Sequence, residues 1–166
     1  MNTLEAIQKR RSVRDYTGDP IPRGDLEKML DAARMAPSGY NQQPWHFIVI
    51  TNRQFIQHHS KSGVWREDSG AIIAVVMDPT SEFWVEDGSA AIENILLAAT
   101  ALGYGSCWLQ GRTKPHEDTF KQLLNIPEHL NLLSLVSIGV PANWPQAKNK
   151  KPLEAVVHWE TFEEND

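Results

Sequence analysis

Apolar positions along the chain alternate between helical and strand spacing. Leu4 and Ile7 follow Asn2, and Glu5 stands three residues past it, so the spacing predicts a short capping-box helix running to about Arg10. Residues 15–22 are rich in turn formers. Leu26, Met29, Leu30 and Ala33 share one face of a helix over 24–35, and Pro37 stops it by pushing the preceding residue out of the helical region. The run 47–50 predicts a strand, and 52–60 a further helix. The continuous apolar, β-branched run 71–77 predicts a strand buried on both faces. Ser81 or a neighbour opens the longest helix, to about Leu102, in which Ile92, Ile95, Leu96, Ala99 and Leu102 keep helical spacing and Gly103 supplies the stop. Its alanines at 90, 91, 98, 99 and 101 would let another helix approach closely, as a core helix or a dimer seam. A short strand over 106–109, a helix with Pro115 in its first turn running to about Leu124, and a strand over 132–138 follow. Gly139-Val140-Pro141 ends that strand. Residues 143–151 read as a polar, basic loop, and 153–159 as a last strand before an acidic tail. Strands interspersed with helices predict an α+β or α/β layer fold.

Composition narrows this picture. The chain has 166 residues, 41% hydrophobic and 22% charged, which suits one domain over 1–166 with a real core. No repeat, linker or low-complexity segment divides it. A net charge of −5 argues against a nucleic-acid partner. The single cysteine, Cys107, allows no intramolecular disulfide. Residues 1–11 are polar, unlike a signal peptide, and no run reaches the roughly 18 apolar residues of a membrane span. The expectation is a cytoplasmic protein with no membrane partner.

Charge is distributed unevenly, and this is where chemistry enters. Lys9, Arg10, Arg11 and Arg14 cluster around Ser12, whereas Glu160, Glu163, Glu164 and Asp166 close the chain. Arginine forks suit phosphate and polarised carbonyl oxygens. The bland reading is a solvated helix end, where cations complement the dipole. A second basic cluster, Lys148, Lys150 and Lys151, favours convergence on one phosphate. Residues 37–45 read Pro-Ser-Gly-Tyr-Asn-Gln-Gln-Pro-Trp, individually ordinary turn formers but together a loop of small and amide residues that opens into a strand.

Gly103-Tyr104-Gly105 lacks the third glycine of a dinucleotide fingerprint, because Trp108 stands there, and no Gly-Lys-Ser/Thr is present. The glycines could instead let backbone approach a flat ring. Cys107 reads as a small core residue. The histidines at 46, 58, 59, 116, 129 and 158 show no metal spacing. The pairs Glu86 with Asp87 and Glu163 with Glu164 read as solvated faces.

Taken together, these segments resemble the nitroreductase family of FMN enzymes. The likeness rests on Arg10-Arg11-Ser12-Val13-Arg14, on the 37–45 loop, on residues 87–94 opening the long helix, on 102–106, on Gly139-Val140-Pro141 and on 148–153. It implies an α/β/α sandwich with a central, mostly antiparallel sheet, built as an intertwined homodimer with FMN at the subunit interface. In such proteins the basic start, here Arg10, Arg11, Ser12 and Arg14, holds phosphate, ribityl and pyrimidine oxygens. Pro37, Ser38, Gly39 and Asn41 match a loop given by the other subunit. Leu109, Gln110 and Gly111 match a segment running against the ring, and Lys148 and Lys150 a late basic pair at the phosphate. The chemistry would be flavin-centred, with no catalytic side chain. NADH or NADPH would deliver hydride, and a small acceptor such as a nitroaromatic or quinone would take two electrons in a ping-pong cycle. Arg14 is the expected positive group near the pyrimidine edge. No residue of 52–70 matches a flavin-covering role. A flavin carrier or sensor without turnover, and a small-anion-binding domain, are the alternatives.

Overall fold

The most apolar run of the chain sits in the middle of a sheet. In the computed structural model, which describes residues 1–60, 65–110 and 116–162, the strands are β1 (Trp45–Ile50), β2 (Ala71–Met77), β3 (Gly105–Gln110) and β4 (Asn131–Gly139). They pair in the order β1-β2-β4-β3, antiparallel throughout. Every residue of β2 is buried, as a strand covered on both faces must be.

Among the described residues, five helices supply the cover: α1 (Thr3–Lys9), α2 (Arg23–Arg34), α3 (Arg53–Ser60), α4 (Trp84–Ala101) and α5 (His116–Leu123). On one face, Leu26, Met29 and Ala33 of α2 and Ile92 and Ile95 of α4 pack with Ile73, Val75 and Met77. On the other, Ile56 of α3, Phe120 of α5 and Trp65 pack with Ile72, Ala74 and Val76. Each fully buried side chain of this size stabilises by about 1.5–3 kcal/mol. The result is the expected α+β sandwich of three layers with an antiparallel sheet. The alanine-rich face of α4 takes α2 against it.

A β-bulge adjusts the sheet. Val75 pairs with Ser134 but Val76 pairs with Leu132, so Leu133 is an extra residue in β4. Leu133 then joins the α2/α4 core with Val136 and Ile138, while Leu132 and Leu135 face the other core. Leu133 and Met77 also lie directly beneath Gly88 of α4. A Cβ there would sit 2.3 Å from Leu133 Cδ2 and 2.9 Å from Met77 Sδ, so only glycine lets this end of α4 approach the sheet so closely.

Element boundaries follow the sequence pattern with local shifts. The Asn2–Glu5 capping box is present, with Glu5 N–H donating to Asn2 Oδ1 at 3.0 Å and Asn2 N–H to Glu5 Oε2 at 3.1 Å. The long helix starts at Trp84 rather than Ser81. α5 is described from His116, and Pro115 lies outside the described residues, as do Glu163, Glu164 and Asp166. The expected strand over 153–159 is a correction: this segment holds only a 3-10 turn, Leu153–Ala155. Its alternating apolar residues have strand character, but no described strand of the chain pairs with them.

Candidate anion-binding site

The segment after α1 is positioned by backbone pairing. Ser12 forms a parallel bridge to Ser106 of β3, and Val13 N–H donates to Ser106 O at 2.9 Å. Val13 is fully buried, so the alternation of an extended chain turns Ser12 and Arg14 outward. Tyr16 locks the far end. Its hydroxyl donates to Val13 O at 2.6 Å and shares a hydrogen bond with Ser137 Oγ at 2.9 Å, and its N–H donates to Asp68 Oδ2 at 3.1 Å. Burial holds the Tyr16 phenol protonated well above the usual tyrosine range. Thr17 N–H donates to Val140 O at 2.9 Å, which ties the segment to the chain leaving β4.

That departing chain supplies the second wall. Trp144 Nε1–H donates to Lys9 O at 3.3 Å, at the C-terminal end of α1. Between the two segments lies a cleft of about 670 Å³, lined by Arg10, Arg11, Ser12, Arg14, Lys148 and Lys150 among others. Five cations and one carboxylate, Asp15, line it. The volume falls in the ordinary range for small-molecule sites. The convergence of the two basic clusters is therefore a feature of the fold; Lys151 is exposed and does not line the cleft.

The guanidiniums differ in what already holds them. Arg11 donates through one terminal nitrogen to Gln8 O at 2.7 Å and Arg10 O at 2.8 Å, while its buried Nε has no partner. Arg10 Nε lies 3.5 Å from Glu93 Oε1 of α4. Arg14 donates to Ser12 O at 3.4 Å. Behind them in β3, burial pushes the Cys107 thiol up, and the positive charges of Arg14 and Arg10 only partly oppose this.

The remaining expected residues do not line this cleft. Leu109 is partly buried in β3, its carbonyl accepts a hydrogen bond from the Ser134 hydroxyl, and Gln110 pairs with Ser134 at the strand end. Gly111 lies outside the described residues. Pro37, Ser38, Gly39 and Asn41 stand beyond the end of α2, against the start of α4. Gly39–Asn41 is a 3-10 turn in which Gly39 N–H donates to Asp87 Oδ1 at 3.0 Å, and Gln43 N–H donates to Ser38 Oγ at 3.0 Å. A Cβ on Gly39 would lie 2.3 Å from a Phe83 ring carbon. Tyr40, Asn41 and Gln43 have φ of 53°, 55° and 51°, three of the five left-handed non-glycine residues among those described. Such conformations cost about 1–3 kcal/mol each and need surroundings that hold them.

Asp87 corrects the sequence reading. It is 5% exposed rather than solvated, whereas Glu86 is exposed. The signal was available in α4, because Asp87, Ala91, Ile95 and Ala99 form one i, i+4 stripe and the last three are core residues. Phe83 and the unpaired, buried Ser106 hydroxyl were also not singled out by sequence. Among the described residues no group of three or more His, Cys, Asp or Glu could hold a metal ion, and no helix is long and apolar enough to cross a membrane.

Comparisons with known proteins identify the family and the fold. The profile of the Nitroreductase family matches residues 7–78 and 64–140. A provisionally named NADH dehydrogenase/NAD(P)H nitroreductase of Archaeoglobus fulgidus is 44% identical, over 83% of this chain and 84% of that protein. The crystal structure of a provisionally named NADH dehydrogenase/NAD(P)H nitroreductase from Parabacteroides distasonis superposes with a TM-score of 0.87 at 30% identity, covering 98% of this chain and 100% of that one. An FMN-dependent nitroreductase from Clostridium difficile gives a TM-score of 0.84 at 30% identity, over 96% and 99% of the two chains. By sequence profile, pairwise identity and fold, the chain belongs to the nitroreductase family.

Proposed function

We propose that the protein is an FMN-dependent oxidoreductase that takes hydride from NADH or NADPH and passes two electrons to a small acceptor, a nitroaromatic or a quinone, in a ping-pong cycle. The observation that carries this reading is the cationic cleft. An unpartnered, buried Arg11 Nε and the converging lysines fit a phosphorylated ligand. The names of the relatives supply the ligand's identity as FMN, which when bound provides the two-electron chemistry.

The chain's own residues bind and orient. Arg10, Arg11, Lys148 and Lys150 hold the phosphate, and Ser12 meets the ribityl chain. Arg14 places a fixed positive charge at the pyrimidine edge, where it favours negative charge on the ring. Leu109 and Gln110 run against the ring, anchored through the Ser134 bond to Leu109 O. No side chain is assigned as acid or base. Pro37, Ser38, Gly39 and Asn41 complete the site from a second copy, which accounts for a loop that does not line the cleft of its own chain. Strongly exposed Leu153, Trp159 and Phe162, at 73%, 80% and 78%, support an intertwined homodimer.

The test is spectroscopic. Purified protein titrated with FMN acquires a bound flavin spectrum that NADH or NADPH bleaches without oxygen, and adding a nitroaromatic or quinone restores it. Protein that takes up no FMN refutes the proposal. Bound FMN that neither nicotinamide reduces makes the chain a flavin carrier instead.

A further inference from the structure

The 38–43 loop presents a physical problem that its own sequence does not solve. Tyr40, Asn41 and Gln43 occupy the left-handed region, and neither Tyr nor Gln prefers it. Most bonds within the loop are short-range: Asn41 N–H to Ser38 O at 2.9 Å, Gln42 N–H to Gly39 O at 3.1 Å, and Gln43 N–H to the Ser38 hydroxyl. These residues are exposed or only partly buried. One bond reaches into the protein, from Gly39 N–H to Asp87 Oδ1.

We infer that Asp87 is a positioning residue that fixes the 38–43 loop in the conformation that meets the flavin; this rests on the functional reading above. Asp87 lies in the first turn of the 18-residue helix α4. It is 5% exposed, and its Oδ2 is buried without a hydrogen-bond partner. A carboxylate held that way costs free energy, and what it provides in return is an acceptor at a fixed place. Its Oδ1 takes the loop's first amide, and Phe83, just before α4, packs its ring against the same glycine. The loop is thus clamped to the rigid start of a core helix at one residue by polar and apolar contacts together. Gly39 is required on both counts, because a side chain would displace the ring and pull the amide from the carboxylate. Asp87 need not touch the flavin to act; it sets where Ser38, Gly39 and Asn41 stand before the ligand arrives.

The experiment compares FMN affinity of wild type, Asp87→Ala and Asp87→Asn, alongside melting temperature and oligomeric state without FMN. Asn retains an Oδ1 acceptor for the Gly39 amide and Ala does not. Asp87→Ala should weaken FMN binding by about 10–100-fold, the range for a lost hydrogen bond to a charged group, while Asp87→Asn recovers most of it. Wild-type affinity in the folded Ala variant, or equal loss in both variants, overturns the inference. Wild-type protein that takes up no FMN overturns the functional reading and the inference with it. Hydrogen exchange at the Gly39 amide of flavin-free wild type reads the clamp without any variant: slow exchange is expected, and exchange at the rate of an unstructured loop overturns the inference even if Asp87→Ala fails to fold.

Discussion

Replacing Gly88 with alanine sets two effects of known size against each other. In a helix interior the change gains about 1 kcal/mol, a figure that already includes the reduced freedom of the unfolded chain. Against it, the new methyl would lie 2.3 Å from Leu133 Cδ2 and 2.9 Å from Met77 Sδ. Neither neighbour can move aside easily, because Met77 is fully buried in β2 and Leu133 is the buried bulge residue of β4. Overpacking of this kind costs about 1–3 kcal/mol, and a 2.3 Å contact with two packed strands belongs at the upper end. The expected net loss is about 1–2 kcal/mol, a fall in melting temperature of about 2–8 °C for a chain of this size. Gly24 of α2 is the matched control. A Cβ there meets nothing within 4 Å, so Gly24→Ala should stabilise by up to about 1 kcal/mol. Urea denaturation at fixed protein and FMN concentration measures both. A Gly88→Ala variant as stable as wild type would show that α4 can lift from the sheet without cost, and would refute the close-approach argument.

Two further outcomes follow from the site and one from α2. Arg11→Met should weaken FMN retention by about 1.5–3 kcal/mol, measured by fluorescence titration, because Arg11 is already held by two backbone carbonyls and spends little ordering on the ligand. Tyr16→Phe should destabilise by about 1–3 kcal/mol in chemical denaturation, since it strips the hydroxyl from Val13 O and Ser137 Oγ, and FMN retention should fall with it. Asp25 is held below the usual carboxylate range by its bond to Lys28 and then by the Tyr104 hydroxyl. Its stabilisation is present above the unfolded-state pKa and is lost as pH falls through the lower folded pKa. Asp25→Asn should therefore lower stability at neutral pH and narrow the gap to wild type in acid; a gap that widens in acid would contradict the sign.

Legibility from sequence followed the length and regularity of each signal. The run 71–77 declared a two-face strand because it contains nothing polar, and α2 and the long helix followed from apolar spacing. The basic cluster was legible because three arginines, Arg10, Arg11 and Arg14, sit within five residues. Other features depend on partners distant in sequence. The Leu133 bulge arises from the pairing of β2 with β4, strands distant in sequence, and no local pattern marks it. The 153–159 segment has strand composition, but composition cannot supply the neighbouring strand that pairing requires. Asp87 was misread because charge was weighed without its helical phase, and the Gly39 bond that accounts for its burial spans 48 residues.

Cys107 gives the cleft a reporter that needs no engineering. It is the chain's single thiol, 2% exposed in β3, and burial keeps it protonated. An alkylating reagent reaches it when this corner, where the 12–13 segment pairs with β3, opens, so the labelling rate measures how often it does. A ligand gripped by Arg10, Arg11 and Arg14 holds that segment down. At 100 times its dissociation constant it adds about 2.7 kcal/mol to the opening cost, slowing alkylation about 100-fold. The affinity of a colourless phosphorylated compound, invisible to flavin spectroscopy, can then be read from the lifetime of one sulfhydryl.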